Sequence, residues 1–443
     1  MALSDLHPGQ VVAVAFAGGI AVGTGLLSLP WATTSGEVAA LNDALFTATS
    51  AVCVTGLTTV DTATYWSTFG QVVIMLLIQV GGLGIMTLAT LAALLLSRRL
   101  GLRSRLIVQA EARALTPGSV RHVIGRIVRF VLATEALIAV VLAAQLLIRY
   151  DESLPQAAYH GVFHAISAFN NAGFSTYPGN LIPFAGDPLF LITISVAVII
   201  GGLGFPVIFE LARMWRNPAE WSVLTRVTVI VTVGLLVIGT VVLWISEVSN
   251  PRTLADYSPA QGGALAFFTA VMPRTAGFNA VDIGLLRPET LLLTNVLMFI
   301  GGGSASTAGG IKVTTFGVLL FVLWSQARGD QHVNVGRRRI PNDTQRRAMT
   351  LTLLSIGVVG VSTFTLLSMT RFPFEAVLFE AISAFATVGL SVGITPLLPV
   401  DAQLVIVVLM FVGRVGPLTV ASALALRERK QRFERPEERM IVG

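Results

Sequence analysis

The sequence predicts an all-α membrane protein in which eight transmembrane helices form four parallel repeats, each a helix, a short re-entrant helix and a second helix. Three observations carry this expectation. Of 443 residues, 54% are hydrophobic and only 12% charged, against roughly 25% charged in an ordinary soluble domain, and the mean hydropathy is +0.77. The basic residues are confined to four segments, and one glycine-bearing pattern recurs four times. Soluble domains cannot hide so much apolar side chain, which excludes a soluble enzyme, a nucleic-acid binder and a disordered scaffold. The net charge of +6 and pI near 10.1 then report membrane topology, not a nucleic-acid partner.

Eight stretches are long and apolar enough to cross about 30 Å of hydrocarbon as helices, near 11–31, 70–96, 127–149, 188–212, 223–246, 290–325, 349–369 and 402–424. No Lys or Arg precedes the first, so it lacks the basic start of a signal peptide and is expected to stay in the mature chain. Within each successive pair lies a shorter stretch, about 38–52, 156–169, 261–273 and 374–386, ending in a Gly-containing polar run. These are too short to span and read as re-entrant segments. The single cysteine, Cys53, excludes an intrachain disulfide and a cysteine zinc site.

Of the 30 basic residues, 23 fall in Arg98–Arg129, Arg213–Arg226, Arg328–Arg347 and Arg427–Arg439. These four segments share one side only if each repeat crosses an even number of times. The positive-inside rule makes that side cytoplasmic, so both termini are expected inside a cell membrane. The outer connections carry 13 acidic residues and five arginines, and an acidic mouth concentrates cations, although a solvated loop surface explains much of the excess.

The repeats divide the chain at 1–97, 98–212, 213–325 and 326–443. Each short stretch places one glycine after a small residue and before Leu or Phe: Gly56, Gly173, Gly277 and Gly389. A second motif follows 24 to 28 residues on, at Gly81-Gly82-Leu83-Gly84, Gly201-Gly202-Leu203-Gly204, Gly301-Gly302-Gly303-Ser304 and Gly413-Arg414-Val415-Gly416. Non-helical backbone at membrane depth is tolerated only where protein buries it or where it lines a wet cavity. Four such strands around one axis make a ring of carbonyls that can replace the hydration shell of a monovalent cation. Glycine supplies the φ > 0 that turns successive carbonyls inward, and each short helix aims its negative end at the axis. The candidate ion ligands are Val54-Thr55-Gly56, Asn171-Ala172-Gly173, Thr275-Ala276-Gly277 and Thr387-Val388-Gly389. The repeats then surround a central ion pore, as in a potassium channel.

With Gly25–Pro30, Thr49–Leu57, Gln79–Gly84, Phe169–Thr176, Pro273–Asn279, Gly301–Lys312 and Phe411–Pro417 in view, the chain resembles the membrane subunit of Ktr-type potassium uptake systems in the Trk/Ktr/HKT superfamily, over nearly its whole length. The Trk branch is similar but adds a pair of N-terminal helices; with eight expected spans and a short tail, this chain fits the Ktr branch better. The resemblance implies potassium as the transported ion, with sodium as a possible activator. It also implies a homodimer with one pore per subunit, standing on a cytoplasmic octameric ring of nucleotide-binding subunits that senses ATP against ADP. This chain has no Gly-x-Gly-x-x-Gly or Walker motif of its own, so no cofactor is expected here, and the basic loops offer the ring a docking surface. Some plant relatives carry serine at the first filter position and pass sodium; glycine at all four positions favours potassium.

The sixth span contains Gly301-Gly302-Gly303-Ser304-Ala305-Ser306-Thr307-Ala308-Gly309-Gly310-Ile311-Lys312, five glycines in twelve residues. Each costs roughly 1 kcal/mol relative to Ala in a helix interior, so the helix is expected to break and the loop to act as an intramembrane gate, moved by nucleotide exchange in the ring. Arg414, the only arginine inside a span, is level with it and is expected to raise the barrier to cations; hydrogen bonding to neighbouring loop carbonyls is its structural alternative. An enzyme is disfavoured. His160 and His164 are four apart, yet no Glu follows His160, and a packed or water-facing pair outweighs a metal site. A coupled transporter would carry intramembrane Asp, Glu or His chains and inverted repeats, which are absent here. Glu135 is expected to pair with an arginine, and Arg274, at the outer mouth, with an acidic neighbour.

Overall fold

The structure, a computed structural model, describes residues 8–97, 117–336 and 338–426. The basic residues from 98 to 116 and those of the tail lie outside the described residues. The helices are α1 (Pro8–Leu27), α2 (Leu41–Val52), α3 (Thr62–Tyr65), α4 (Thr68–Ser97), α5 (Pro117–Arg149), α6 (Leu154–Phe169), α7 (Pro188–Leu203), α8 (Phe205–Met214), α9 (Val223–Glu247), α10 (Pro259–Val271), α11 (Pro288–Phe299), α12 (Val313–Arg328), α13 (Asn342–Met369), α14 (Phe374–Phe385) and α15 (Val400–Leu426).

Among the described residues, Gln10–Leu27, His122–Arg149, Val223–Glu247 and Asn342–Met369 are long and apolar enough to cross a membrane. Their outer faces leave large apolar side chains uncovered, among them Val22, Leu137, Val237 and Phe364, a surface that suits lipid and not water. The segment 188–212, expected as one crossing, is instead two helices bent by 101° at Gly204. Gly204 has φ 92° and Pro206 sits in the first turn of α8, so the chain turns where glycine permits it and proline removes a helical N–H. Residues 300–312 are not helical; Ile300 and Ile311 form a parallel bridge across the break between α11 and α12.

The short helices α2, α6, α10 and α14 form the inner layer. Proline in the first turn starts α6 and α10, and a Ser258–Gln261 capping box reinforces α10. Each is buried through its C-terminal half, by Ala, Ser, Thr and Phe. Each also packs on the helix that closes the preceding unit: α6 on α4, α10 on α7, α14 on α11, and α2 on α15, which completes a circle. On the side of the basic segments, β1 (Asn334–Val335) and β2 (Arg338–Arg339) form a two-stranded hairpin between α12 and α13. Val333, Val335 and Ile340 tuck it against Val227, Val231 and Val313.

Candidate functional site: four glycine segments above a broken helix

The chain leaves each short helix the same way. Two residues before each glycine stands a left-handed residue, Val54, Asn171, Thr275 or Thr387, with φ 55°, 61°, 75° and 49°; the glycines follow at φ 95°, 71°, 69° and 96°. The residue between has negative φ, so the sign alternates and successive carbonyls turn to one side instead of opposing each other as in a strand. Three of the left-handed residues are β-branched, which is costly in isolation and persists because the ends are tied down. Thr55, Ala172 and Val388 donate their N–H to Ser50, Ser167 and Ser383 carbonyls at 2.7, 2.7 and 2.8 Å, and Ala276 donates to Met272 O at 3.0 Å. The Ser50 and Ser383 hydroxyls accept from Gly56 and Gly389 N–H at 3.0 and 3.1 Å. The third segment differs, since Val271 occupies the place of those serines.

The four segments touch in a closed cycle. A Cβ added to Gly56 would strike Ala172 O, one on Gly173 would strike Ala276 O at 2.6 Å, one on Gly277 Val388 O, and one on Gly389 Thr55 O. Glycine is thus required twice over at these positions, by conformation and by the approach of the next segment. Above them opens a cavity of about 270 Å³ lined by all four glycines, Asp61 and Asp282.

The second glycine motif lets the following helix press on the end of its own short helix. A Cβ at Gly81, Gly201 or Gly413 would run into the carbonyl of Val52, Phe169 or Phe385. In the third unit the chain instead breaks into the 300–312 segment, which crosses beneath the ring. Gly303 N–H donates to Gly202 O at 2.7 Å and Thr307 N–H to Gly201 O at 3.4 Å. Thr307 Oγ1 reaches Phe169 O at 3.4 Å, Gly309 abuts the Thr387 side chain, and Ser304 backs onto Gly204. Phe205 N–H reaches Ala305 O at 3.4 Å. Within the segment Ser306 Oγ donates to Gly303 O at 2.7 Å and accepts from Ala308 N–H at 3.2 Å, while Lys312 Nζ donates to Ala308 O. Gly301 lies against Gly309 O, Gly302 against Ala308, and Gly310 against Ala386.

Arg414 donates from Nη1 to Thr307 O, while Nε and Nη2 are buried without a partner among the described residues. Its guanidinium and the broken helix therefore form one unit. Two expected charge pairings are corrected. Among the described residues Glu135 meets no arginine; it accepts from Gln79 Nε2 and Asn170 Nδ2, both at 2.9 Å, amides on α4 and at the end of α6. Among the described residues Arg274 has no acidic partner either: it is buried and donates to Thr232 Oγ1 at 3.3 Å. The histidines are packed: His160 Nδ1 lies 2.6 Å from Thr176 Oγ1, and His164 lies 2.8 Å from His160 O and 2.9 Å from Ser175 Oγ. Among the described residues no group of three His, Cys, Asp or Glu is placed to hold a metal.

Two carboxylate hubs at helix ends carry no signal in the sequence. Glu247 accepts from Asn250, Thr253, Thr290 and the Arg287 N–H at 2.6 to 2.9 Å, tying the end of α9 to the start of α11. Asp187 caps α7, pairs with Arg149 at 2.8 Å and accepts from Tyr150 at 3.0 Å. Burial and that carboxylate push the Tyr150 hydroxyl up to about 12, so it stays a donor.

The sequence profile of the family described as "TrkH: Cation transport protein" matches residues 20–434. Ktr system potassium uptake protein B of Bacillus subtilis is 41% identical over 436 residues, covering 98% of this chain and 97% of that protein. Its namesake from Vibrio alginolyticus is 36% identical, over 98% and 94%. The potassium/sodium uptake protein NtpJ of Enterococcus hirae is 34% identical, over 99% and 98%. Among solved structures, the potassium transporter TrkH from Vibrio parahaemolyticus superposes with a TM-score of 0.72 at 19% identity, over 95% of this chain and 85% of that one; this likeness speaks to the fold.

Proposed function

The chain belongs to the TrkH cation transport protein family, and from that premise we propose that it is the pore-forming membrane subunit of a potassium uptake system. The observation that carries the reading is the cycle of four segments in which each glycine can be nothing larger because the next segment's carbonyl lies against it. The four glycines and the two residues before each are the selectivity filter. A potassium ion entering from the cavity above sheds its water and takes up carbonyl dipoles already oriented by the N–H bonds to the short helices, so little reorganisation opposes binding. The C-terminal ends of α2, α6, α10 and α14 add negative potential.

The membrane is crossed eight times, by α1, α4, α5, the bent α7–α8 pair, α9, the broken α11–α12 pair, α13 and α15, with both termini cytoplasmic and a unit boundary near residues 97, 212 and 325. The segment 301–312 is the gate. It lies beneath the ring, is held by a few hydrogen bonds to Gly201, Gly202 and Phe169, and is capped by Arg414, whose charge opposes cation entry from below. Swinging α12 withdraws it. The lever is a cytoplasmic octameric nucleotide-binding ring that exchanges ATP and ADP, on which two copies of this chain stand; the chain itself takes no cofactor and does no catalysis. Relatedness to a protein named for potassium and sodium uptake supports a second reading, a sodium-permeable or sodium-coupled pathway through the same ring. Potassium and sodium uptake in a transport-deficient host, with and without a co-expressed ring subunit, separates them. Potassium uptake that sodium does not replace supports the first; equal uptake of both ions supports the second.

A further inference from the structure

The four-membered ring is not symmetric at its outer edge. After Gly173 the chain runs Phe174-Ser175-Thr176-Tyr177-Pro178-Gly179-Asn180. Pro178 and Gly179 occupy the centre of a turn in which Gly179 has φ 69° and Asn180 N–H returns to Tyr177 O at 3.1 Å, the arrangement a Pro-Gly pair favours. Asn180 follows in the left-handed region at φ 65°, which Asn tolerates better than most side chains. The turn delivers the Asn180 amide to the ring: Nδ2 donates to Gly173 O at 3.0 Å. Among the described residues, no donor is found on the carbonyl of Gly56, Gly277 or Gly389.

The amide is held firmly. Leu181 N–H donates to Asn279 O at 3.0 Å, binding the turn to the third segment. Ser175 Oγ lies 3.3 Å from Asn180 O, accepts from Tyr177 N–H at 3.1 Å, and is itself clamped by His164 Nε2 at 2.9 Å. The histidine pair noted in the sequence thus braces this turn. Asn180 also lines the cavity directly above the four glycines.

We infer that Asn180 is a specificity-determining residue, which engages the Gly173 carbonyl and leaves the outermost cation site with three free carbonyl ligands and one weakened one. A carbonyl that accepts an amide hydrogen bond presents less negative potential to a cation and is turned toward its donor. The outermost site therefore binds potassium more weakly than a symmetric ring would, which favours passage of the ion inward over retention at the mouth. The inference rests on the filter reading above and names the residue that tunes it.

Asn180→Gly removes the donor while keeping the left-handed backbone without strain, and Asn180→Ala removes it with strain. Rubidium uptake by each is measured in proteoliposomes beside Gly173→Ser. The expected result is a KM for rubidium at least threefold lower in both Asn180 variants, since the fourth ligand is restored. A higher KM in both, or a change in Ala alone, would show that Asn180 only supports the turn and would overturn the inference, as would an unchanged KM. Gly173→Ser reports separately on the filter: an unaltered potassium-to-sodium preference there removes the reading beneath the inference, whereas altered preference with an unchanged Asn180 response removes the inference alone.

Discussion

Replacing Gly173 by serine tests the ring at its most forgiving point. Of the four glycines it has the longest approach to the neighbouring carbonyl oxygen, with the added Cβ 2.6 Å from Ala276 O and 2.9 Å from the Gly277 carbonyl carbon. To recover even a tight 3.0 Å contact, that oxygen must retreat by 3.0 − 2.6 = 0.4 Å. The backbone at φ 71° adds roughly 1–2 kcal/mol for any side chain with a Cβ. The oxygen that moves is itself a proposed ligand, and the cycle passes the shift to the third segment and on to the fourth. A differential loss of about 1.4 kcal/mol between the two ions is tenfold in preference, and we expect at least that at Gly173. Larger losses are expected at Gly56, Gly277 and Gly389, where the neighbouring carbonyl is closer. Competition of sodium against rubidium uptake in proteoliposomes measures it. Folded Gly173→Ser protein with wild-type preference, or Gly173 proving the most damaging position of the four, would refute the reasoning.

Arg414→Ala removes the guanidinium beneath the ring and its bond to Thr307 O; maximal potassium flux should rise while the ion preference stays unchanged, and a folded variant with lower flux would assign Arg414 a structural role. Deleting residues 304–308 should give potassium flux that no longer responds to ATP or to the ring, whereas a deletion variant that assembles yet stays closed without ATP would place the gate elsewhere. Glu247→Leu takes an acceptor from four donors, of which Asn250 Nδ2 keeps Leu285 O and three are orphaned; at about 1–3 kcal/mol for each buried unpaired group, partly relieved by water, the thermal midpoint in detergent should fall by several degrees, and an unchanged midpoint would count against the hub.

The ring was legible because its requirement leaves a mark. A backbone that must turn left-handed while another backbone presses on it admits one residue type, so Gly56, Gly173, Gly277 and Gly389 stand out at matched positions. Gly81, Gly201 and Gly413 lie inside helices and stand out through close approach alone, each with a short-helix carbonyl against it. The left-handed residues two places earlier were not legible, since Val54 and Thr387 resemble strand or helix residues until the serine carbonyls behind them fix the turn. Charge partners were legible least: Glu135 ends on two amides and Arg274 on a threonine.

By itself the sequence determined what each residue does to its own neighbourhood along the chain. Apolar runs set the helices, the placement of arginine set the expected orientation, and five glycines among residues 301–310 left no helix to be made. The tertiary structure decided what depends on distances between remote segments: the bend at Gly204 against Ser304, the seating of Arg414 on Thr307, and the amide of Asn180 on one carbonyl of four. Inside a membrane protein a buried polar group is costly unless a partner lies within about 3 Å. Which partner it finds follows from how four similar but unequal units close around one axis, and no local pattern encodes that.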